Sequence, residues 1–194
     1  MSERKFGQTP SQTVGPYFAY GLTSEQYHYP HRQIVTNRLA DPNCPGEHIR
    51  ICGQVLDGEG NAVDDAMVEI VQPDAEGRFP EAMRGLFRCY GRHGTGTRAD
   101  NVFEFFTVKP GAAQDGSAPH VSVAVFMRGL LTHCYTRLYF GDEADANRND
   151  HTLQSVPADR RPTLVADRED SPEGTIYRFD IRMQGERETV FFDL

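Results

Sequence analysis

From residue 48 onward, apolar and polar positions alternate in short runs. In residues 48–56, Ile49, Ile51, Gly53 and Val55 fall on one side at a period of two, the repeat of a half-buried strand. Asp57-Gly58-Glu59-Gly60-Asn61 then reads as a turn, because Gly and Asn tolerate positive φ. Residues 66–72 read as the next strand. Residues 102–108, rich in aromatic and β-branched side chains, read as another, ended by Pro110-Gly111. Further strands are predicted over 121–127, 136–140, 176–181 and 189–192. Residues 141–149 read as a short helix or an irregular loop, and 167–174 as a polar loop. Before residue 48 neither the helical nor the strand period appears. That stretch, rich in Pro, Tyr, His and Gly, reads as an extended arm with a short helical turn near Ser24-Glu25-Gln26. A structureless segment of this length is uncommon inside a compact domain and usually wraps a partner or builds a site.

Repeated short strands with Gly/Pro turns and little helix predict an all-β fold: an antiparallel β-sandwich core with a long irregular N-terminal arm and short helical turns. The boundaries are 1–47 for the arm and 48–194 for the sandwich domain. A chain of 194 residues buries roughly two thirds of its unfolded surface, so it needs neither disulfide nor structural metal. Its 28 acidic and 20 basic residues give a net charge of -8, which repels nucleic acid and anionic membranes and argues against both as partners. A small anion held by one local arginine stays compatible with that charge. The 4 cysteines form no Cys-x-x-Cys pair and read as small buried hydrophobes in a reducing cytoplasm. The N-terminus lacks the apolar core of a secretory signal, and no apolar run approaches a membrane span. The Gly-x-Gly matches near Gly58 and Gly94 open no helix, which argues against a nucleotide fingerprint.

Several ordered segments carry more than fold. They are Thr9-Pro10-Ser11-Gln12-Thr13-Val14-Gly15-Pro16-Tyr17; Asn37-Arg38-Leu39 with Pro45-Gly46-Glu47-His48-Ile49; and Gly53-Gln54-Val55 through to Val68-Glu69-Ile70-Val71-Gln72-Pro73-Asp74-Ala75. After them come Thr107-Val108-Lys109-Pro110-Gly111, Ala118-Pro119-His120, Thr136-Arg137-Leu138-Tyr139-Phe140-x-Asp142-Glu143-Ala144, and Tyr177-Arg178-Phe179-Asp180-Ile181 running on to Asp193. Together, and in this order along nearly the whole chain, they resemble the intradiol ring-cleaving dioxygenases. The closest likeness is to the kind of α subunit in that family that does not ligate iron.

The resemblance implies a ferric ion held by two tyrosinates and two histidines, since anionic phenolate oxygens stabilise Fe(III) and imidazoles complete a site open to a catecholate. At the matching positions this chain has Phe79 and Ala113 for the tyrosines, and His120-Val121-Ser122 for His-x-His. Only His120 keeps a donor of the family's type; Phe79, Ala113, His120 and Ser122 are vestigial positions. The resemblance therefore implies no catalytic or metal site on this chain alone. It implies a paralogous β subunit that binds the Fe(3+), and pairing of the two chains into higher (αβ)n oligomers. The holoenzyme would cleave protocatechuate with O2 between its two hydroxylated carbons to 3-carboxy-cis,cis-muconate, in bacterial aromatic catabolism by the β-ketoadipate route.

Four residues match family positions that line the substrate pocket. Gly15 permits close backbone approach, Pro16 stiffens the turn and Tyr17 stacks on an aromatic substrate. Arg128, just after the 121–127 strand, matches a position near the substrate carboxylate, to which a guanidinium offers two parallel donors. The residues alone leave blander readings open: an arm packed across a subunit surface, and a strand-end arginine paired with one of many carboxylates. For the whole chain, the alternatives are a transthyretin-like carrier sandwich without a catalytic partner, and a self-sufficient dioxygenase using other ligands.

Overall fold

The computed structural model of the chain describes residues 15–79, 85–113 and 115–193; residues 9–14 of the first motif, and Gln114, lie outside them. Among the described residues nine strands form: β1 (His48–Leu56), β2 (Met67–Val71), β3 (Tyr90–Gly94), β4 (Val102–Val108), β5 (His120–Phe126), β6 (Cys134–Phe140), β7 (Val165–Ser171), β8 (Gly174–Arg178) and β9 (Ile181–Arg182). Three short helices, α1 (Gly15–Leu22), α2 (Ala144–Asn149) and α3 (His151–Ser155), accompany them. Among the described residues no helix is long and apolar enough to cross a membrane.

The strands follow one path, β3-β2-β5-β6-β7-β8-β1-β4, with β9 beside β1. β7 joins its halves: Val165 and Ala166 pair with β6, and Asp167 onward pairs with β8. The ends of the path also meet, because the Glu104 N–H on β4 donates to His93 Nδ1 on β3 at 3.1 Å. The result is a nearly closed sandwich. Its pairs are antiparallel except β1–β8, β1–β9 and β6–β7, which are parallel. Alternate residues of both halves fill the core, with Ile49, Ile51, Val55 and Phe105 facing Val68, Ile70, Val121 and Val123.

Period two succeeds where one face is buried: the expected strands 48–56 and 102–108 coincide with β1 and β4. The strands expected over 66–72, 121–127 and 136–140 also form, as β2, β5 and β6, while other segments correct the expectation. Residues 167–174 are not a loop but most of the β7–β8 hairpin, whose outward side chains pair as ions, Arg178 with Glu169 at 3.0 Å. β3 was not expected, because Tyr90-Gly91-Arg92-His93-Gly94 lacks apolar alternation. Its Gly91 is required by packing: a Cβ there would lie 2.5 Å from Leu39 Cδ1. Residues 189–192 form no strand, only the bridge from Tyr135 to Phe192. The 3₁₀ turn at Ser24–Tyr27 matches the expected turn, but α1 replaces extended chain over Gly15–Leu22, with Pro16 in its first turn, where a missing N–H costs nothing.

Two buried polar clusters fix the framework. Gln72, fully buried, follows β2 and reaches across the sandwich. Its Nε2 donates to the Val108 carbonyl at 2.9 Å, and its Oε1 accepts from the Thr107 hydroxyl at 3.1 Å. Asp150, equally buried, lies under a second, smaller core of Ala118, Tyr139, Leu153, Val156 and Leu164 on the outer side of β6. Its carboxylate accepts from the Ala118 N–H at 2.9 Å, the Leu153 N–H at 2.7 Å and the Tyr139 hydroxyl at 2.9 Å. Asp150 thereby caps α3 and pins the start of the 118–120 run to β6.

Two expectations follow from this framework. Asp150→Ala strands three buried donors and is expected to cost at least about 3 kcal/mol in urea unfolding, while Asp150→Asn, which keeps an acceptor oxygen, costs less; equal stability of Asp150→Ala and the parent would contradict the role. Burial pushes His93 down to about 4. Between about 6.5 and about 4 the unfolded chain takes up a proton that the folded chain refuses, so stability falls as pH drops through that window, by up to about 3 kcal/mol, and levels off below it. His93→Asn keeps an acceptor for the Glu104 N–H without titrating, and is expected to flatten this part of the pH profile of the urea midpoint. An unchanged slope would show that another group carries the dependence.

Candidate functional site

The segments flanking the positions expected to match the family's ligands are held together. After Gln72, Asp74 accepts the Gly111 N–H on its carbonyl at 3.0 Å. Gly77, at φ +76, lies so close to the neighbouring loop that a Cβ would sit 1.9 Å from the Ala112 carbonyl oxygen. The loop that carries Phe79 and the loop that carries Ala113 are thus packed against each other. Lys109 ties this end to β6. Its Nζ donates to Asp142 at 2.8 Å and pairs with Glu143 at 2.6 Å, and Tyr177 and Arg168 also reach Asp142. Burial opposes the charge on Lys109, but the two carboxylates outweigh it and hold its pKa above the ordinary lysine value. The motif pairs Lys109 and Asp142-Glu143, distant in sequence, meet here.

The donor set does not fit a ferric ion. Phe79 is exposed and carries no donor atom, and Ala113 has none either. Ser122 stands outward on β5, opposite Val71 and Arg137, with a neutral hydroxyl. His120 Nδ1 is hydrogen-bonded to the Ala118 carbonyl at 2.8 Å, and burial lowers its pKa, so it offers at most one neutral nitrogen. Two tyrosines stand near these positions, and neither replaces the missing phenolates. Tyr139, whose ring centroid lies 5.6 Å from that of His120, is pushed up to about 12 by burial and donates its proton to the buried Asp150. Deprotonating it would leave two anions face to face. Tyr90, opposite Val71, is also raised to about 12, by burial first and then by Glu69. Among the described residues, no group of three or more His, Cys, Asp or Glu is placed to hold a metal ion.

The four residues expected to line a substrate pocket lie elsewhere. Gly15, Pro16 and Tyr17 form the first turn of α1. α1 and the following turn dock at the far end of β2 and β5, where Ala19, Leu22 and Tyr27 pack on Met67 and Phe126. Arg128 follows β5 at that same end. With Tyr20, Tyr27, Gln26, Asp65 and Asn101 it lines a cavity of about 420 Å³. Docking of the arm brings Tyr20, Gln26 and Tyr27 to Asp65, Asn101 and Arg128, which the residues alone did not reveal. At roughly 3.4 Å per residue, β5 and its extension put ~27 Å between His120 and Arg128. The structure therefore groups Arg128 with the arm and separates both from the vestigial ligand positions. Arg128 itself is paired with Asp65, the bland partner that its many neighbouring carboxylates made an open alternative.

The Dioxygenase family model matches residues 14–185. The chain is 53% identical over 192 residues to a protocatechuate 3,4-dioxygenase alpha chain from Burkholderia cepacia, covering 96% of this chain and 98% of that one. It is 29% identical over 174 residues to the beta chain from the same organism, covering 78% of this chain and 71% of that one. Among solved structures, an intradiol ring-cleavage dioxygenase from Tetranychus urticae matches with a TM-score of 0.61 at 14% identity, over 91% of this chain and 94% of that one, a likeness of fold alone. This chain belongs to the intradiol dioxygenase family.

Proposed function

We propose that the chain is the α subunit of a protocatechuate 3,4-dioxygenase and works beside a paralogous β subunit that holds the ferric ion. The observation that carries this reading is the donor deficit at Phe79, Ala113 and Ser122 within an otherwise retained framework. Its near full-length similarity to a relative named as an alpha chain supports the same division of labour. The beta-chain likeness supplies the kind of partner, and the carrier-sandwich reading gains nothing from any of these observations.

In this reading the partner's iron supplies the ring-cleaving chemistry with O2 in an α,β pair that assembles further, in the cytoplasm. This chain contributes assembly surface, residues 1–47 as an arm toward the partner, and a pocket wall of Gly15, Pro16, Tyr17 and Arg128. The wall belongs to the partner's site rather than to this chain's own lost one. Arg128 stands a full strand length from His120, while α1 and Arg128 share one cavity. Arg128 selects the carboxylate of protocatechuate, a charge-assisted contact worth about 1.5–3 kcal/mol.

Expression of the chain alone and with a β subunit tests the proposal. Iron and a tyrosinate-to-iron absorption band are expected only in the co-complex. Stoichiometric iron in the isolated chain would contradict it, and failure to form any complex would favour a binding module instead.

A further inference from the structure

We propose that Asp65 is the positioning residue for Arg128: it holds the Nε edge of the guanidinium and leaves both Nη groups as a fork for the substrate carboxylate. The proposal rests on the reading of Arg128 as the carboxylate-selecting residue and goes one residue behind it.

The pairing is built into the sheet. β2 and β5 run antiparallel with Met67 opposite Phe126 and Val68 opposite Val125. Continuing that register by two residues puts Asp65 opposite Arg128. The backbone next to Asp65 is pinned from both sides. The Ala66 N–H donates to Thr95 Oγ1 at 3.1 Å while the Thr95 N–H donates to the Ala66 carbonyl at 2.8 Å, and Gln26 Nε2 donates to the Asp64 carbonyl at 3.0 Å. The two side chains differ sharply in exposure: Asp65 is 15% exposed and Arg128 73%. Asp65 is therefore the fixed member and Arg128 the presented one. The contact runs through Nε to Asp65 Oδ2, and no other carboxylate among the described residues pairs with this guanidinium. An unheld arginine on the surface retains about 2 kcal/mol of rotamer entropy; fixing one edge lowers the cost of presenting the other to a planar carboxylate.

A competing effect has the opposite sign. Asp65 partly cancels the charge of Arg128, so its removal would strengthen long-range attraction for an anion. That term acts at long range, whereas orientation acts at contact distance. Asp65→Asn decides between them.

The test uses the co-expressed α,β holoenzyme and calorimetric dissociation constants, without O2, for protocatechuate and for catechol, which lacks the carboxylate. Asp65→Asn is expected to weaken protocatechuate about three- to tenfold and leave catechol unchanged. Asp65→Glu should recover part of the loss, and Asp65→Asn with Arg128→Ala should bind no worse than Arg128→Ala alone. If Arg128→Ala weakens both ligands equally, the carboxylate reading itself fails and the proposal falls with it. If Arg128→Ala is selective but Asp65→Asn is silent, binds protocatechuate more tightly, or weakens both ligands alike, the positioning role alone is overturned.

Discussion

The buried carboxamide of Gln72 is the contact on which the arrangement of the site depends. It follows β2, in one half of the sandwich, and bonds to Thr107 and Val108 at the end of β4, in the other. Both chain segments then leave the sheets together, toward Phe79 on one side and Ala113 on the other. An apolar side chain in its place would leave the buried Val108 carbonyl and Thr107 hydroxyl with only the long 3.4 Å contact between them. Geometry is thus preserved by a backbone-directed amide, while coordination depends on different side chains altogether. That separation makes the shape of this end independent of which donors it carries. The Lys109 cluster with Asp142 and Glu143, and the Asp150 cluster beneath Tyr139, stabilise the same end by the same means.

The positions matched to the family's ligands are also chemically closed to a ferric ion. Restoring a phenolate near His120 is not a matter of borrowing a neighbour. Tyr139 is committed to a buried carboxylate, and Tyr90 is held protonated by burial and Glu69. Meanwhile the other end of β5 carries a different kind of surface: a docked helical arm, two exposed or half-exposed tyrosines and an arginine with one edge fixed. One strand thereby separates His120 from the groups proposed to face a partner's substrate.

How far this was legible follows from where each signal resides. β1 and β4 announce themselves because one face is buried and the other is not. β7 does not, since Asp167, Arg168, Glu169 and Asp170 leave no apolar face to read; its identity lies in the hydrogen bonds to β8. Residues 189–192 mislead for the converse reason: Val190 and Phe192 are apolar because they cover the second core, with a single bridge rather than a ladder. The absent oxygen donors and the expected role of Arg128 came only through the resemblance to the family, since neither Phe79, Ala113 and Ser122 nor an arginine after a strand marks a site by itself. Asp65 and Asp150 were not legible, because each acts only through a partner that the sheet register or a helix cap brings to it.

The most direct measurement is an anomalous-scattering map of the assembled α,β complex that locates the iron against this chain. The account requires an ion coordinated entirely by the β subunit, with Arg128 and the first turn of α1 as the nearest parts of this chain. An iron beside His120, with Phe79, Ala113 and Ser122 around it, would contradict it.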